Sequence, residues 1–262
     1  QAIVRYLGDF RGIQAEPEQI VVGAGSEYLT GLLTQLLGRE GGYAVEDPGY
    51  RKPARILANN GAQVLPIPLD AQGLRVDLLK RSRARVAHVT PSHHFPLGMV
   101  MPVTRRRALL SWAGQSEDRY IIEDDYDSEF RFDTRPLPSL QGMAGADGPV
   151  VYLSTCSRSL APSIRIAYMV LPIQLLPAWR AAYRLYSSPV SRFEQQTLAR
   201  FINEGYFTRH LARERVAYKA RRDALVRALN TAFAPGELRF SGLHTGLHLL
   251  AALRDAPPDA AL

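Results

Sequence analysis

Short apolar runs of four to six residues alternate with longer helical stretches through the first 172 positions of the chain. This alternation predicts an α/β domain in which buried strands lie between covering helices. Ser26 is the expected N-cap of a helix that ends at Gly38. The predicted strands are 20–22, 43–46, 63–66, 85–90, 120–123, 150–153 and 164–171. The predicted helices are 27–37, 51–59, 75–83 and 103–113.

The pattern changes after Pro172. Helices are predicted at 175–186, 193–203 and 206–233, and short strands at 238–240 and 246–251. A strand pair without covering helices is an incomplete unit, so we expect this smaller α+β part to continue beyond Leu262. The predicted division is 1–172, most of a large domain; 173–230, a helical link; and 231–262, the start of a small C-terminal domain.

Composition narrows the class of protein. Hydrophobic residues make up 46% of the chain, and no apolar run approaches the length that spans a bilayer. The first residues lack the apolar core of a signal peptide. The single cysteine, Cys156, excludes a disulfide framework within the chain. We therefore expect a soluble cytoplasmic protein that does not bind membranes.

The chain is basic, with a net charge of +7, and all but three of its 32 basic residues are arginines. Arginine clusters at 81–85 and 105–107 are not interleaved with aromatic residues and carry no recognisable DNA-reading module. We expect both clusters to form solvated faces. The excess positive charge would still favour association with DNA through non-specific attraction.

Three segments combine a predicted strand with residues suited to binding a ligand. Gly25 and Ser26 precede a helix, where free amides and the helix dipole favour a phosphate, although a simple glycine turn is the alternative. Tyr50 follows an Asp-Pro-Gly turn and is suited to stacking or to an interface. Asp124 and Tyr126 follow a strand, at the end where α/β sheets place ligands, unless this acidic turn is merely solvated.

Two adjacent histidines, His93 and His94, lie in the segment Thr-Pro-Ser-His-His-Phe-Pro-Leu-Gly. Neighbours on an extended segment point to opposite sides of the chain. No third ligand has the spacing of a known metal site. We therefore expect that no metal binds at these histidines.

The segment 151–172 has the sequence VYLSTCSRSLAPSIRIAYMVLP, which predicts a strand, a polar loop and a second strand. Together with the segments above, it resembles the cofactor-binding parts of fold-type I pyridoxal-phosphate (PLP) proteins. The resemblance is to the aminotransferase-like domain of MocR/GabR-type regulators of the GntR superfamily, whose IIEDDYDSEF motif recurs unchanged at 121–130. It implies an aspartate aminotransferase-like α/β fold, with a mainly parallel sheet between helices.

The resemblance also implies a role for each matched position. Phosphate contacts are implied for Gly25, Ser26, Thr155 and Arg165. Tyr50 would stack on the pyridine ring, Asp124 would pair with the pyridine nitrogen, and Tyr126 would hydrogen-bond the phenolic oxygen.

Arg158 stands where the resembled family has the lysine that forms a Schiff base with PLP. A guanidinium stays protonated and does not attack an aldehyde, so Arg158 is not expected to react. The arginine is a natural degeneration or a deliberate substitution, or else Lys52 takes over the role of the lysine. Phe95, where aminotransferases have an asparagine, favours a regulator over an enzyme.

The resemblance therefore implies the effector-sensing domain of a bacterial transcriptional regulator, which binds PLP non-covalently or has lost it. A small amino compound would be the effector, and the protein would form a homodimer. DNA would be bound by a winged-helix domain that precedes Gln1. Two alternatives stay open: a PLP-dependent aminotransferase, present here as a fragment or inactive variant, and a sensor that has kept the fold without the cofactor.

Overall fold

A computed structural model describes residues 1–133 and 137–254 of the chain. An eight-stranded sheet forms the centre of these residues, in the order β1-β8-β7-β6-β5-β2-β3-β4. The strands are β1 (Ile20–Gly23), β2 (Tyr43–Asp47), β3 (Val64–Asp70), β4 (Gly73–Leu74), β5 (Val86–Val89), β6 (Tyr120–Asp125), β7 (Val150–Thr155) and β8 (Ala167–Val170). Neighbours from β7 to β3 are parallel, whereas β8 runs antiparallel to β1 and β7, and β4 antiparallel to β3. The predicted α/β class with a mainly parallel sheet is confirmed.

Helices cover both faces of the sheet. They are α1 (Ala2–Arg11), α2 (Ser26–Leu37), α3 (Arg51–Asn59), α4 (Val76–Arg81), α5 (Val103–Ala113), α6 (Leu140–Ala144), α7 (Cys156–Ser159), α8 (Leu176–Tyr183), α9 (Arg192–Asn203) and α10 (Tyr206–Ala232). Successive residues of β6 point to opposite faces. Ile122 belongs to the core that contains Leu29 of α2, and Ile121 to the core that contains Leu109 of α5. A sheet buried on both faces explains the continuous apolar runs of its central strands.

A two-stranded hairpin of β9 (Leu238–Ser241) and β10 (Leu250–Leu253) follows α10. Its connecting segment returns to the segment that follows β6, where the Gly246 N–H donates to the Phe130 carbonyl at 2.6 Å. The predicted division at 172 and 230 stays a prediction, and part of its last unit, 255–262, lies outside the described residues. No helix in the described ranges is both long and apolar enough to cross a bilayer.

The structure differs from the local predictions at several points. Helix α1 was not expected; it buries Leu7 in the core beside β8. The residue that caps α2 is Gly25 rather than Ser26, which is already helical. The strand expected at 164–171 begins only at Ala167, because Pro162 starts a 3-10 turn that ends at Arg165 in the left-handed region, at φ 50°.

The arginine cluster at 105–107 is not a solvated face. The Arg106 guanidinium is completely buried and donates to the carbonyls of Met101, Pro91 and Pro138 at 2.7–2.9 Å. Arg107 on the same helix is exposed, as expected. Charge periodicity in the sequence does not reveal that three carbonyl oxygens converge on one position of α5.

Candidate functional site

The carboxyl ends of β5 and β6 bring a carboxylate and an imidazole together. Asp124, the next-to-last residue of β6, is 8% exposed, and its Oδ2 lies 3.5 Å from Nε2 of His88 on β5. That nitrogen is buried and has no hydrogen-bond partner among the described residues. Asp124 therefore lies where the sequence predicted it, at the ligand-binding end of a parallel sheet. His88, inside a strand, carried no signal that distinguished it from a core residue.

A second buried acid lies on the neighbouring strand. Glu46 of β2 accepts from the Thr90 N–H at 3.0 Å and from its hydroxyl at 2.7 Å, while Nε2 of His94 lies 3.6 Å away. Burial raises the pKa of Glu46 to about 7, against the hydrogen bonds from Thr90. Burial also lowers the pKa of His94 to about 4. Near pH 6 this close pair is consequently neutral, and not the ion pair that its distance suggests.

Tyr126 closes the same end of the sheet. Its hydroxyl donates to the His93 carbonyl at 2.8 Å. Burial raises the pKa of Tyr126 well above its usual value; Asp127 and Asp124 raise it further, and Arg158 opposes them. The phenol is therefore a proton donor at physiological pH. We refer to Glu46, His88, Asp124, Tyr126 and His93 as the buried end of the site.

His93 is held by partners that the sequence did not connect. Its Nδ1 lies 2.8 Å from Oδ2 of Asp127, and the His248 ring faces it with centroids 4.0 Å apart. The three side chains form a group of potential metal ligands within the described residues. However, Asp127 already binds His93 and the Leu247 N–H, and two facing rings do not direct their lone pairs to one point. The expectation that no metal binds here stays a prediction.

A separate group of charges surrounds the start of α2. Gly25 has a φ of 96°, and a Cβ at this position would overlap the Arg165 guanidinium. Nη2 of Arg165 donates to Glu27 at 2.9 Å and to the Ala24 carbonyl at 3.3 Å. The antiparallel register of β1 and β8, with Gly23 opposite Ala167, brings these distant segments together.

Glu27 also forms an ion pair with Lys52 of α3. Burial would raise the pKa of Glu27, but Lys52, the backbone N–H of Glu27 itself and Arg165 hold it at about 2. Gly25, Glu27, Lys52 and Arg165 form the anion end of the site. Sequence analysis predicted Gly25 and Arg165 here, missed Glu27, and gave Lys52 a different role.

Four further residues were predicted for the site. The Thr155 hydroxyl caps α7 by accepting from the Ser157 N–H at 3.2 Å. Arg158 is exposed on that helix and is near enough to Tyr126 to lower its pKa. Tyr50 is 47% exposed and contacts Phe95 edge to face, with centroids 5.5 Å apart. Ser26 lies in the first turn of α2.

No protein-family model matches the chain. It is 39% identical over 248 residues to the uncharacterized HTH-type transcriptional regulator YdeL of Bacillus subtilis, covering 95% of this chain and 53% of YdeL. It is 38% identical over 226 residues to the probable rhizopine catabolism regulatory protein MocR of Rhizobium meliloti, covering 86% and 45%. The chain spans about half the length of the curated relatives it matches.

Solved structures decide the fold. Kynurenine aminotransferase of Pyrococcus horikoshii, in complex with PMP, matches at a TM-score of 0.85 and 26% identity, over 99% of this chain and 66% of that one. LysN of Thermus thermophilus, complexed with N-(5'-phosphopyridoxyl)-L-leucine, matches at 0.78 and 26%, over 96% and 65%. The chain is a fold-type I aminotransferase-like domain. Its relatives at 33–39% identity include the regulators YdeL, MocR and PdxR, so the resemblance recognised from the motifs is confirmed.

Several residues of this aminotransferase-like domain have the chemistry that a phosphorylated pyridine requires. Gly25 lets the Arg165 guanidinium approach the start of α2, where a forked donor suits a phosphate, and the Asp124 carboxylate suits a pyridinium. Tyr126 supplies a phenol donor. Arg158 is the exception, because a guanidinium does not replace the amine of a lysine toward an aldehyde.

Proposed function

We propose that this aminotransferase-like domain is the ligand-sensing part of a transcriptional regulator and holds a phosphorylated pyridine of the PLP type without a covalent bond. One observation supports the proposal: Arg165 beside Gly25 and Asp124 at the end of β6 have the chemistry that a phosphate and a pyridinium need, while Arg158 stands where the resembled family has its Schiff-base lysine. The relatives at 33–39% identity, which include YdeL, MocR and PdxR, are regulators, and this supports the regulatory part.

Each residue has a role in this proposal. Gly25, Ser26, Thr155 and Arg165 hold the phosphate through backbone amides, hydroxyls and a forked guanidinium. Asp124 pairs with the pyridine nitrogen, while the Tyr126 hydroxyl donates to the phenolic oxygen and Tyr50 packs on the ring. PLP, when bound, supplies an electron-withdrawing ring. In this domain that capacity goes unused, because Arg158 has no free amine to join to the aldehyde.

The experiment is a comparison of the protein with its Arg158→Lys variant, each titrated with PLP in the whole regulator and followed by absorbance and by reduction with borohydride. We expect both proteins to perturb the PLP spectrum. Only Arg158→Lys should yield a covalent adduct that borohydride fixes and mass spectrometry places on residue 158. If neither protein perturbs the spectrum, the domain is a sensor scaffold without this cofactor and the proposal is wrong.

A PLP-dependent aminotransferase is the second candidate, and one observation favours it. Solved aminotransferases match the fold over nearly the whole chain. Amino-group transfer needs a base that carries a proton at the substrate carbon, and arginine does not serve in that role. Conversion of an amino acid and a 2-oxo acid by the protein itself, with added PLP, would support this candidate over the regulator.

The other parts of the proposal concern the whole protein. YdeL and PdxR are named HTH-type regulators and are about twice as long as this chain, which supports a DNA-binding part elsewhere in the protein. A small amino compound as effector, a homodimer, a cytoplasmic location, and separate large and small domains are proposed on the same basis. Equilibrium sedimentation of the whole regulator, with and without PLP, tests the dimer.

A further inference from the structure

The anion end already contains a negative charge that belongs to the protein. One oxygen of Glu27 accepts from Arg165 at 2.9 Å, and the other pairs with Lys52. Glu27 also lies in the first turn of α2, where the helix dipole favours an anion. A carboxylate with these three positive neighbours has the electrostatic surroundings that a bound phosphate would need.

We propose that Glu27 is a built-in competitor of the ligand phosphate, which sets both the affinity of the anion end and its sensitivity to salt. This inference rests on the proposed function, because it requires a phosphate ester to enter the cradle of Gly25 and Arg165. It concerns a residue to which the resemblance gives no role.

The exposure of the ion pairs makes an exchange feasible. The side chains of Arg165, Lys52 and Glu27 are 53%, 50% and 30% exposed, and exposed pairs of this kind contribute little to stability. A phosphate dianion forms stronger charge-assisted bonds with a forked guanidinium than a single carboxylate oxygen does. Arg165 therefore gains by transferring from Glu27 to the ligand, while Lys52 retains the displaced carboxylate.

Protonation of Glu27 does not remove its competition with the ligand phosphate. With a pKa near 2, Glu27 stays ionised throughout the physiological range. A bound phosphate would therefore always lie close to a fixed negative charge, and their repulsion depends on ionic strength. Because Arg158 offers no covalent bond, this repulsion contributes in full to the measured affinity.

The test is calorimetric titration of the whole regulator and its Glu27→Gln variant with pyridoxine 5′-phosphate, which has no aldehyde, and with unphosphorylated pyridoxine. Glu40→Gln removes a charge of the same sign from an exposed position and serves as the matched control. For a dianion about 5 Å from the lost charge, Coulomb's law predicts tighter phosphate-ester binding by on the order of tenfold. The gain should shrink in 0.5 M salt, and Glu40→Gln should leave the affinity unchanged.

The outcomes separate this inference from the function on which it rests. Unchanged or weaker binding of the phosphate ester by Glu27→Gln, with normal binding by the unaltered protein, overturns the inference and leaves the proposed function standing. An equal gain for unphosphorylated pyridoxine also overturns it, because the effect would then be a general opening of the site. If no protein binds the ester, both fail. Glu27→Ala provides a second neutral variant and should show the same gain.

Discussion

The two ends of the site hold their charges in different ways. At the buried end, Asp124 is 8% exposed and His88 5%, and burial determines which of the neighbouring groups are ionised. At the anion end, Arg165 and Lys52 keep about half of their side-chain surface in water, and ion pairing determines the charge state. The buried end is therefore rigid and costly to alter, whereas the anion end exchanges partners at little cost.

The residues that support each end from behind also differ in burial. The buried end is backed by Asp125, whose Oδ2 lies 2.8 Å from Nε of Arg11 and accepts from the Tyr152 hydroxyl at 2.6 Å. The anion end is backed by strand register and by one glycine conformation. Substitutions that remove similar charges should therefore change stability at one end and ligand affinity at the other.

The largest expected effect is on the ion pair behind the buried end. Arg11→Met leaves the completely buried Asp125 without its cation, which costs about 3–5 kcal/mol of unfolding free energy. Urea denaturation monitored by circular dichroism measures the loss. A loss below about 1 kcal/mol, which is the scale of an exposed pair, would show that the two ends do not differ in this respect.

The next effect depends on pH. The pKa of Glu46 is raised to about 7, so between about pH 4.5 and pH 7 the folded state keeps a proton that the unfolded state releases. The stability that Glu46 contributes is therefore fully present below pH 4.5 and lost as the pH rises through 7. Relative to Glu46→Gln, the protein should lose at most about 3 kcal/mol over this range.

Urea denaturation of both proteins at pH 5, 6, 7 and 8 measures this difference. His94, whose pKa burial lowers, is present in both proteins, so the comparison isolates Glu46. A constant difference across the four pH values would mean that Glu46 titrates like an exposed carboxyl.

A smaller effect is expected where the hairpin connection meets the buried end. Gly246 has a φ of 72°, and a Cβ there would overlap the His93 ring. Gly246→Ala should therefore cost about 2 kcal/mol more than Gly236→Ala, which has φ 88° but open space around its Cβ. Thermal denaturation of the pair tests this, and equal losses would show that backbone strain alone is responsible.

The smallest effect on stability is expected at the anion end. Arg165→Met removes an exposed ion pair and should change the unfolding free energy by less than about 1 kcal/mol. The same variant should weaken the binding of pyridoxine 5′-phosphate at least tenfold, because it removes the forked donor. Arg11→Met is the same change in residue type behind the buried end. If the two ends differ as described, Arg11→Met mainly lowers the unfolding free energy, whereas Arg165→Met mainly lowers the affinity for the ligand.

Local patterns in the sequence predicted much of the fold and several points of the site. The apolar run followed by acidic residues predicted strand β6 and placed Asp124 near its carboxyl end. The motif resemblance gave Gly25 and Arg165, which the structure brings into contact range. These features depend on short segments, whose hydrophobic period and turn residues are visible without the tertiary structure.

Contacts between distant segments were not predictable in this way. Glu27 and Arg165 are 138 positions apart. Arg11, which pairs with Asp125, is the last residue of a helix that the pattern did not predict. His248 reaches His93 only because the hairpin connection returns to the segment that follows β6. Arg106 looked like a surface residue because the carbonyls that bind it come from two separate loops, one before α5 and one before α6. In each case the partner is set by packing, which a single sequence does not specify.

The pairing of Gly23 with Ala167 has a consequence for how such a domain can change over evolutionary time. Arg165 ends the 3-10 turn that precedes β8, so its contact with the start of α2 depends on this register and on the left-handed conformation of Arg165, and not on the side chain at position 158. An insertion between Arg165 and Ala167 would separate the guanidinium from the strand pairing that positions it. A lineage can thus discard the reactive amine while it inherits the anchor, and the anchor is where insertions and deletions should be rarest.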